Sequence, residues 1–349
     1  MCVDYDPFRS RHSVYDETKT RTWEWRMERR ELIAGLCVLA TWSCAGLAQP
    51  ALRRYRIGML DTSPRAVNSN FSKLLQALEE AGLVEGQNLT IDYRSADGGN
   101  EAFVALARDL TERHVDVIVT RGTPAALAAR AATKTIPVVM AAAGDPLAIA
   151  RSRERPALNM TGFGAYAAGA EAKRLAVLKQ MLPKLEGIAA LMNLSNPSRR
   201  AEWDGIEHAA HSMGVAAQVL DIRTVEGVEA AFAHASRQQV DALVVGSDTI
   251  VQTNQTLVIK LAAAHRIPAL YTFRDFVDAG GLMSYGVSLP DLYRRAAGYV
   301  DRILKGEKPA DLPIAPPTKF ELVINGKAMK ALALNAPAAF LAQADEIIE

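Results

Sequence analysis

Six short stretches of small, hydroxylated and amide residues follow apolar runs in this chain: Asp61-Thr62-Ser63, Arg121-Gly122-Thr123, Ala143-Gly144-Asp145-Pro146, Asn193-Leu194-Ser195-Asn196, Gly246-Ser247-Asp248-Thr249 and Tyr271-Thr272-Phe273. Their side chains suit hydrogen bonding to a small polar molecule. Thr123 before Pro124 has the pattern of a helix start, where free amides and the helix dipole favour an anion such as a carboxylate. Asp248 reads either as a solvated turn or as a counter-charge for an ammonium group. Asn193 and Ser195 either cap the turn before Pro197 or hydrogen-bond in a cleft. Tyr271, and Tyr285 in Ser284-Tyr285-Gly286, belong to core or hinge packing, or line an apolar sub-pocket. Asp145 before Pro146 is foremost a turn residue. The candidate binding set is Thr62, Ser63, Gly122, Thr123, Asp145, Asn193, Ser195, Asp248, Tyr271 and Tyr285.

Other chemistries lack their residues. There is no Gly-x-x-x-x-Gly-Lys-Ser/Thr loop and no Gly-x-Ser-x-Gly elbow. Gly162 and Gly164 are followed by Gly169, which breaks the dinucleotide-binding spacing and does not open from a strand. His208 and His211 stand three apart beside Glu207 and read as an exposed helix side rather than a metal pair. No nucleophile–base pair is evident, so the expectation is a protein without catalysis, cofactor or metal. The formal net charge is +1 and the charges are mixed, which gives no footprint for nucleic acid.

The elements that would position these stretches alternate. Tyr55–Leu60 reads as a strand, Phe71–Ala81 as a helix, Leu89–Tyr93 as a strand, Glu101–Arg113 as a helix and Val115–Val119 as a buried strand. A helix from Pro124 to Thr133, capped by Thr123, and a strand over Ile136–Met140 follow. The second half repeats the pattern: strands at Ile188–Met192, Val215–Asp221, Val240–Val245 and Ile267–Tyr271, helices at Glu202–Met213, Val225–Arg237 and Thr253–His265. Strand–helix alternation implies parallel sheets with right-handed crossovers. Two such units predict an α/β protein of two Rossmann-like lobes. Ligands of open α/β sheets sit at the carboxyl ends of the strands, which is where all six polar stretches fall.

The N-terminal region predicts export. From Met27, Arg29-Arg30 precedes an apolar run over Leu32–Ala40, and Gly46-Leu47-Ala48 has the small residues of a cleavage site. Residues 27–48 therefore read as a signal peptide, with residues 1–26 a spurious extension from an over-assigned start and the mature chain beginning near Gln49. The alternatives are a membrane anchor or a buried helix. The three cysteines, Cys2, Cys37 and Cys44, all precede that point, so the mature chain would have no thiol chemistry.

Several stretches, in their order and spacing, resemble one family: Gly122-Thr123-Pro124-Ala125-Ala126, Thr135-Ile136-Pro137-Val138-Val139, Gly144-Asp145-Pro146, Asn159-Met160-Thr161-Gly162, Gly280 to Gly286, Asp291 to Ala297 and Pro317 to Asn325. The chain is similar over 52–334 to bacterial ABC-transporter substrate-binding proteins of the type I periplasmic-binding fold, the group related to tryptophan- and tyrosine-binding proteins. It departs from them in Leu194, where proline is usual, and in the charged stretch Arg151, Arg153, Glu154 and Arg155. The resemblance implies three crossovers between lobes, placed near Gly164, Met283 and Ala315. Lobe one would be 52–164 plus 283–312, and lobe two 165–282 plus 313–349. It further implies a periplasmic monomer that binds a small ligand, an amino acid or related carboxylate, and works with an ABC permease. A ligand sensor on the same fold and an extracytoplasmic enzyme are the alternatives. The sensor needs an N-terminal DNA-binding unit, and the enzyme a catalytic constellation that the sequence does not display.

Overall fold

A computed structural model describes residues 53–96, 99–150, 159–166 and 169–349. The expected extension, the signal segment and the charged stretch at 151–155 lie outside the described residues. The first lobe runs β1 (Tyr55–Asp61), α1 (Ser69–Glu80), β2 (Leu89–Ser95), α2 (Ala102–Glu112), β3 (Val117–Arg121), α3 (Thr123–Ala132), β4 (Val138–Ala143), α4 (Pro146–Ala150) and β5 (Met160–Gly164). The second continues with α5 (Ala170–Met181), β6 (Gly187–Met192), α6 (Pro197–Ser212), β7 (Ala216–Asp221), α7 (Val225–Arg237), β8 (Ala242–Val245), α8 (Thr249–Thr253), α9 (Gln255–Ala264), β9 (Ala269–Tyr271), α10 (Asp275–Asp278) and β10 (Met283–Val287). The chain then forms α11 (Leu289–Leu304), β11 (Phe320–Asn325), α12 (Gly326–Ala331), α13 (Ala338–Leu341) and β12 (Glu346–Ile348).

Five parallel strands in the order β2-β1-β3-β4-β5 make the first sheet. The second has seven, β12-β11-β10-β9-β8-β6-β7, and only the β10–β11 pair is antiparallel. Both sheets are covered on two faces. In lobe one, Ile57 and Met59 pack with α1 and α11 on one side, while Leu60 packs with Phe103 and Leu110 on the other. That two-sided burial explains why the strands read as apolar runs rather than alternations. In lobe two, α5 and α6 cover one face and α7 and α9 the other.

The second crossover falls at Ser288, not near Met283. Met283 and Ser284 pair with Leu270 and Tyr271 on one side and with Ile324 and Val323 on the other, so β10 is interior to the lobe-two sheet. Only α11 crosses over, because its apolar face of Leu289, Leu292, Tyr293 and Ala296 is buried in the lobe-one core. The return crossing passes Ala315, which bridges Phe163 of β5. Ser288 N–H donates to the Lys319 carbonyl at 3.0 Å, tying the two crossings side by side. Element bounds also shift: β3 starts at Val117 rather than Val115, and α6 starts at Pro197, five residues early, because Asn196 caps it through Ser198 N–H.

Candidate functional site: the cleft between the lobes

The carboxyl ends of both sheets face one another across a cavity of about 70 Å³. Each water-sized group needs roughly 10–15 Å³, so the cavity admits a small ligand or the charged head of a larger one. From lobe one it is lined by Thr62, Arg121, Gly122, Thr123 and Gly144, and from lobe two by Glu171, Arg174, Arg199, Glu202 and Asp248, with Tyr285 and Phe320 near the crossings.

The lobes are closed. Thr123 and Ser198 hydroxyls meet at 2.7 Å, Thr249 Oγ1 donates to Asn100 Oδ1 at 2.6 Å, and Asn70 Nδ2 donates to Asp275 at 2.9 and 3.1 Å. Arg121, 3% exposed at the end of β3, reaches Gln252 at 3.4 Å and Asp275 at 3.5 Å from a lobe-one anchorage on Asp61 at 3.6 Å and Ser63 at 3.3 Å.

On the lobe-one wall, Gly122 flanks α3 with φ +85°, a conformation that favours glycine. The helix thus begins at Thr123, which is its first residue rather than its cap. Its hydroxyl accepts from Gly144 N–H at 3.1 Å and bonds Ser198. Ala126 is the first residue of α3 to donate within the turn, so the Thr123 and Ala125 amides have no intrahelical acceptor. Thr62 Oγ1 is buried there without a hydrogen-bond partner among the described residues. Ser63 instead closes the β1 turn through its own N–H to Asp61.

On the lobe-two wall, Glu202 accepts from Arg174 with one oxygen and from Arg199 with the other. The Nε atoms of both arginines are buried without partners among the described residues. Glu171, 4% exposed in the first turn of α5, meets its own backbone N–H and the Tyr166 hydroxyl, at 3.5 Å, and among the described residues it has no ion pair. Burial pushes the Glu171 carboxyl above the usual carboxylate range. Asp248 lines the cavity, but its oxygens already accept from Asn193 Nδ2 at 3.2 Å, Asn196 Nδ2 at 3.1 Å and Ile250 N–H at 3.1 Å. It therefore clasps the starts of α6 and α8.

The candidates thus divide. Thr62, Gly122, Thr123, Asp248 and Tyr285 line the cavity. Asn193 and Ser63 sit behind it as braces, and Ser195 is exposed and bonded to Asn193. Asp145 is exposed and caps α4 through Ala148 N–H, so it does not reach the cavity. Tyr271 is core: it is 1% exposed and stacked on Phe276 with ring centres 4.7 Å apart. Its position at the end of β9 drew it into the set, yet its ring turns to the α9 face and packs on Gly281. Sequence reading placed Arg121 in a strand-end stretch without taking it into the binding set, and it missed Glu171, Arg174, Arg199 and Glu202. Glu171 with Arg174, and Arg199 with Glu202, are spaced three apart on helices. Charges at that spacing on a core-facing helix stripe are the signal that was there to find. Glu207, His208 and His211 lie exposed on α6.

Two lobes built on separate sheets, joined by three crossings and closed over a cavity at the strand ends, form the type I periplasmic-binding architecture. The model of the family described as ABC transporter substrate binding protein matches residues 63–348, and the chain belongs to that family. A tyrosine-binding protein of Clostridioides difficile is 27% identical over 260 residues, 74% of each chain. A Streptococcus pneumoniae ABC domain solved with L-Trp is 23% identical and superposes with a TM-score of 0.76, covering 84% of this chain and all of that one. The ligand-free, open structure of a Clostridium difficile substrate-binding protein is 25% identical, with a TM-score of 0.59 over 84% of this chain and 99% of the other. Among the described residues no helix is long and apolar enough to cross a membrane.

Proposed function

We propose that this chain is the extracytoplasmic binding subunit of an ABC importer, which closes on an amino acid or a related small carboxylate and hands it to the membrane permease. The observation that carries the reading is the closed cavity itself, where buried polar atoms lack partners: Thr62 Oγ1 on one wall, and Arg174 Nε and Arg199 Nε on the other. Unpaired buried polar groups cost about 1–3 kcal/mol each, so a polar ligand that satisfies them favours the closed form. Donors dominate this set, and the start of α3 adds amide donors and a positive dipole end. A carboxylate fits such a set. The tyrosine named for one relative and the L-Trp in another support an amino acid.

Among the described residues that line the cavity no nucleophile is paired with a base, and ligand release unchanged is the expected outcome. The chain would be monomeric, exported by the segment 27–48, with a mature N-terminus near Gln49. Mass spectrometry of periplasmic protein tests the processing, and an intact chain from Met1 in the cytoplasm would count against export. A thermal-shift screen against amino acids and small carboxylates tests the binding. Stabilisation follows RT ln(1 + [L]/Kd), about 2.7 kcal/mol at a hundredfold excess over Kd. No shift with any member of the panel would defeat the proposal.

A further inference from the structure

We propose that Glu171 is the seat of a protonated nitrogen on the ligand, which restricts the ligand class to amine-bearing molecules; this rests on the binding function argued above. Three carboxylates line the cavity, and two are already compensated. Glu202 holds two guanidinium groups, one on each oxygen. Asp248 takes three hydrogen bonds from two amides and a backbone N–H. Glu171 has no ion pair among the described residues, and its carboxylate is met by its own backbone N–H and by one long hydroxyl contact, from Tyr166. The cavity's cations are committed elsewhere: Arg174 and Arg199 to Glu202, Arg121 between Asp61 and Asp275.

A carboxylate buried in this way is costly unless a cation meets it. Its solvation is stripped, and its raised proton affinity is the mark of that loss. The fold nonetheless makes room for it. Gly205 of α6 lies directly beneath the carboxylate, and a Cβ there would stand 3.0 Å from Glu171 Cγ and 3.3 Å from Oε2. A ligand ammonium in the cavity supplies the missing charge. Arg174 and Arg199, whose buried Nε–H donors have no partner among the described residues, line the same wall. A simple carboxylate would satisfy the donors and leave Glu171 bare.

Calorimetry on the purified chain separates these cases, using glycine, alanine, tyrosine and tryptophan against acetate, propionate, hydroxyphenylpropionate and indolepropionate. The amine-bearing member of a binding pair is expected to bind at least about 30-fold more tightly than its deaminated partner, the scale of losing a buried charge partner. Glu171→Gln should erase that gap by weakening the amine alone, and should melt no lower than the parent without ligand. A deaminated partner binding within about threefold of the amine would overturn the assignment while leaving the binding function standing. So would full amine affinity in Glu171→Gln. Because the paired ligands are compared on the unaltered chain, a variant that failed to fold would not remove the test. Silence from all eight compounds would defeat both this assignment and the function it rests on.

Discussion

At the scale of single residues, the cavity separates carboxylates that hold the fold from one that the fold tolerates. Asp248 belongs to the first kind. Replacing it by alanine strips the cap from Ile250 N–H and strands the Asn193 and Asn196 side-chain amides. Such losses cost about 1–3 kcal/mol. Asp248→Ala should therefore lower the urea midpoint of the ligand-free protein, not merely its affinity. Glu171 belongs to the second kind. Its folded-state proton affinity is raised by burial, ahead of the opposing pull of Arg174 and Arg199. The native state then holds this proton to higher pH than the unfolded chain does. Stability contributed by the protonated form is present at acid pH and is lost as pH rises through the folded-state value. Glu171→Gln should remove this descent above the ordinary carboxylate range, where Glu202, Arg174, Arg199 and Tyr166 are the groups facing the site. Unfolding curves of both proteins at several pH values check the sign, and a parent that gains stability with pH relative to the variant would contradict it.

At the scale of elements, the termini of α3 and α6 meet across the cleft. Gly144, after β4, lies against the start of α6 from the other lobe. A Cβ at Gly144 would overlap the Ser198 hydroxyl and crowd Thr123 Oγ1 at 2.8 Å. Both neighbours sit in helix first turns, and the Ser198 Cβ, fixed to the α6 backbone, would itself stand 2.6 Å away, so a turn of the hydroxyl does not relieve the overlap. Gly144 itself keeps a backbone conformation open to alanine, since it is absent from the positive-φ residues. The lobes should consequently fold in Gly144→Ala and fail to close. We expect a larger radius of gyration in solution scattering and at least a tenfold weaker ligand affinity, with the melting temperature of the ligand-free protein little changed. A variant that closes and binds like the parent would show that this contact does not govern closure.

At the scale of the whole molecule, closure depends on a few polar bonds laid across the lobes. Asn70 on α1 reaches Asp275 on α10, and Arg121 spans from Asp61 to the same carboxylate. A net hydrogen bond is worth about 0.5–1.5 kcal/mol. Asp275→Ala removes the partner of both Asn70 and Arg121 at once without replacing a residue that lines the cavity, so it should shift the population toward the open form. Apparent affinity falls with the fraction of competent molecules, here by about 5- to 150-fold for two such bonds. Ligand titration combined with scattering reads both quantities, and unchanged affinity with an unchanged radius would argue against a latch.

Periodicity and turn residues were enough to read two strand–helix units, parallel sheets and the strand ends as the place for a ligand. Such features depend on neighbours within a turn or a strand, and local sequence carries them. The β3 and α6 boundaries, the Ser288 crossing and the inward or outward turn of each strand-end side chain were not legible in that way. Tyr271 and Tyr285 look alike in sequence, yet one packs under α9 and the other lines the cavity. That difference is set by strand register and by which helix covers which face. Glu171, Arg174, Arg199 and Glu202 come together from two helices only when α5 and α6 pack. Sequence alone determined the family and the two-lobed architecture; tertiary packing decided which charges are compensated and which one waits for a partner, because burial and pairing depend on residues distant in the chain.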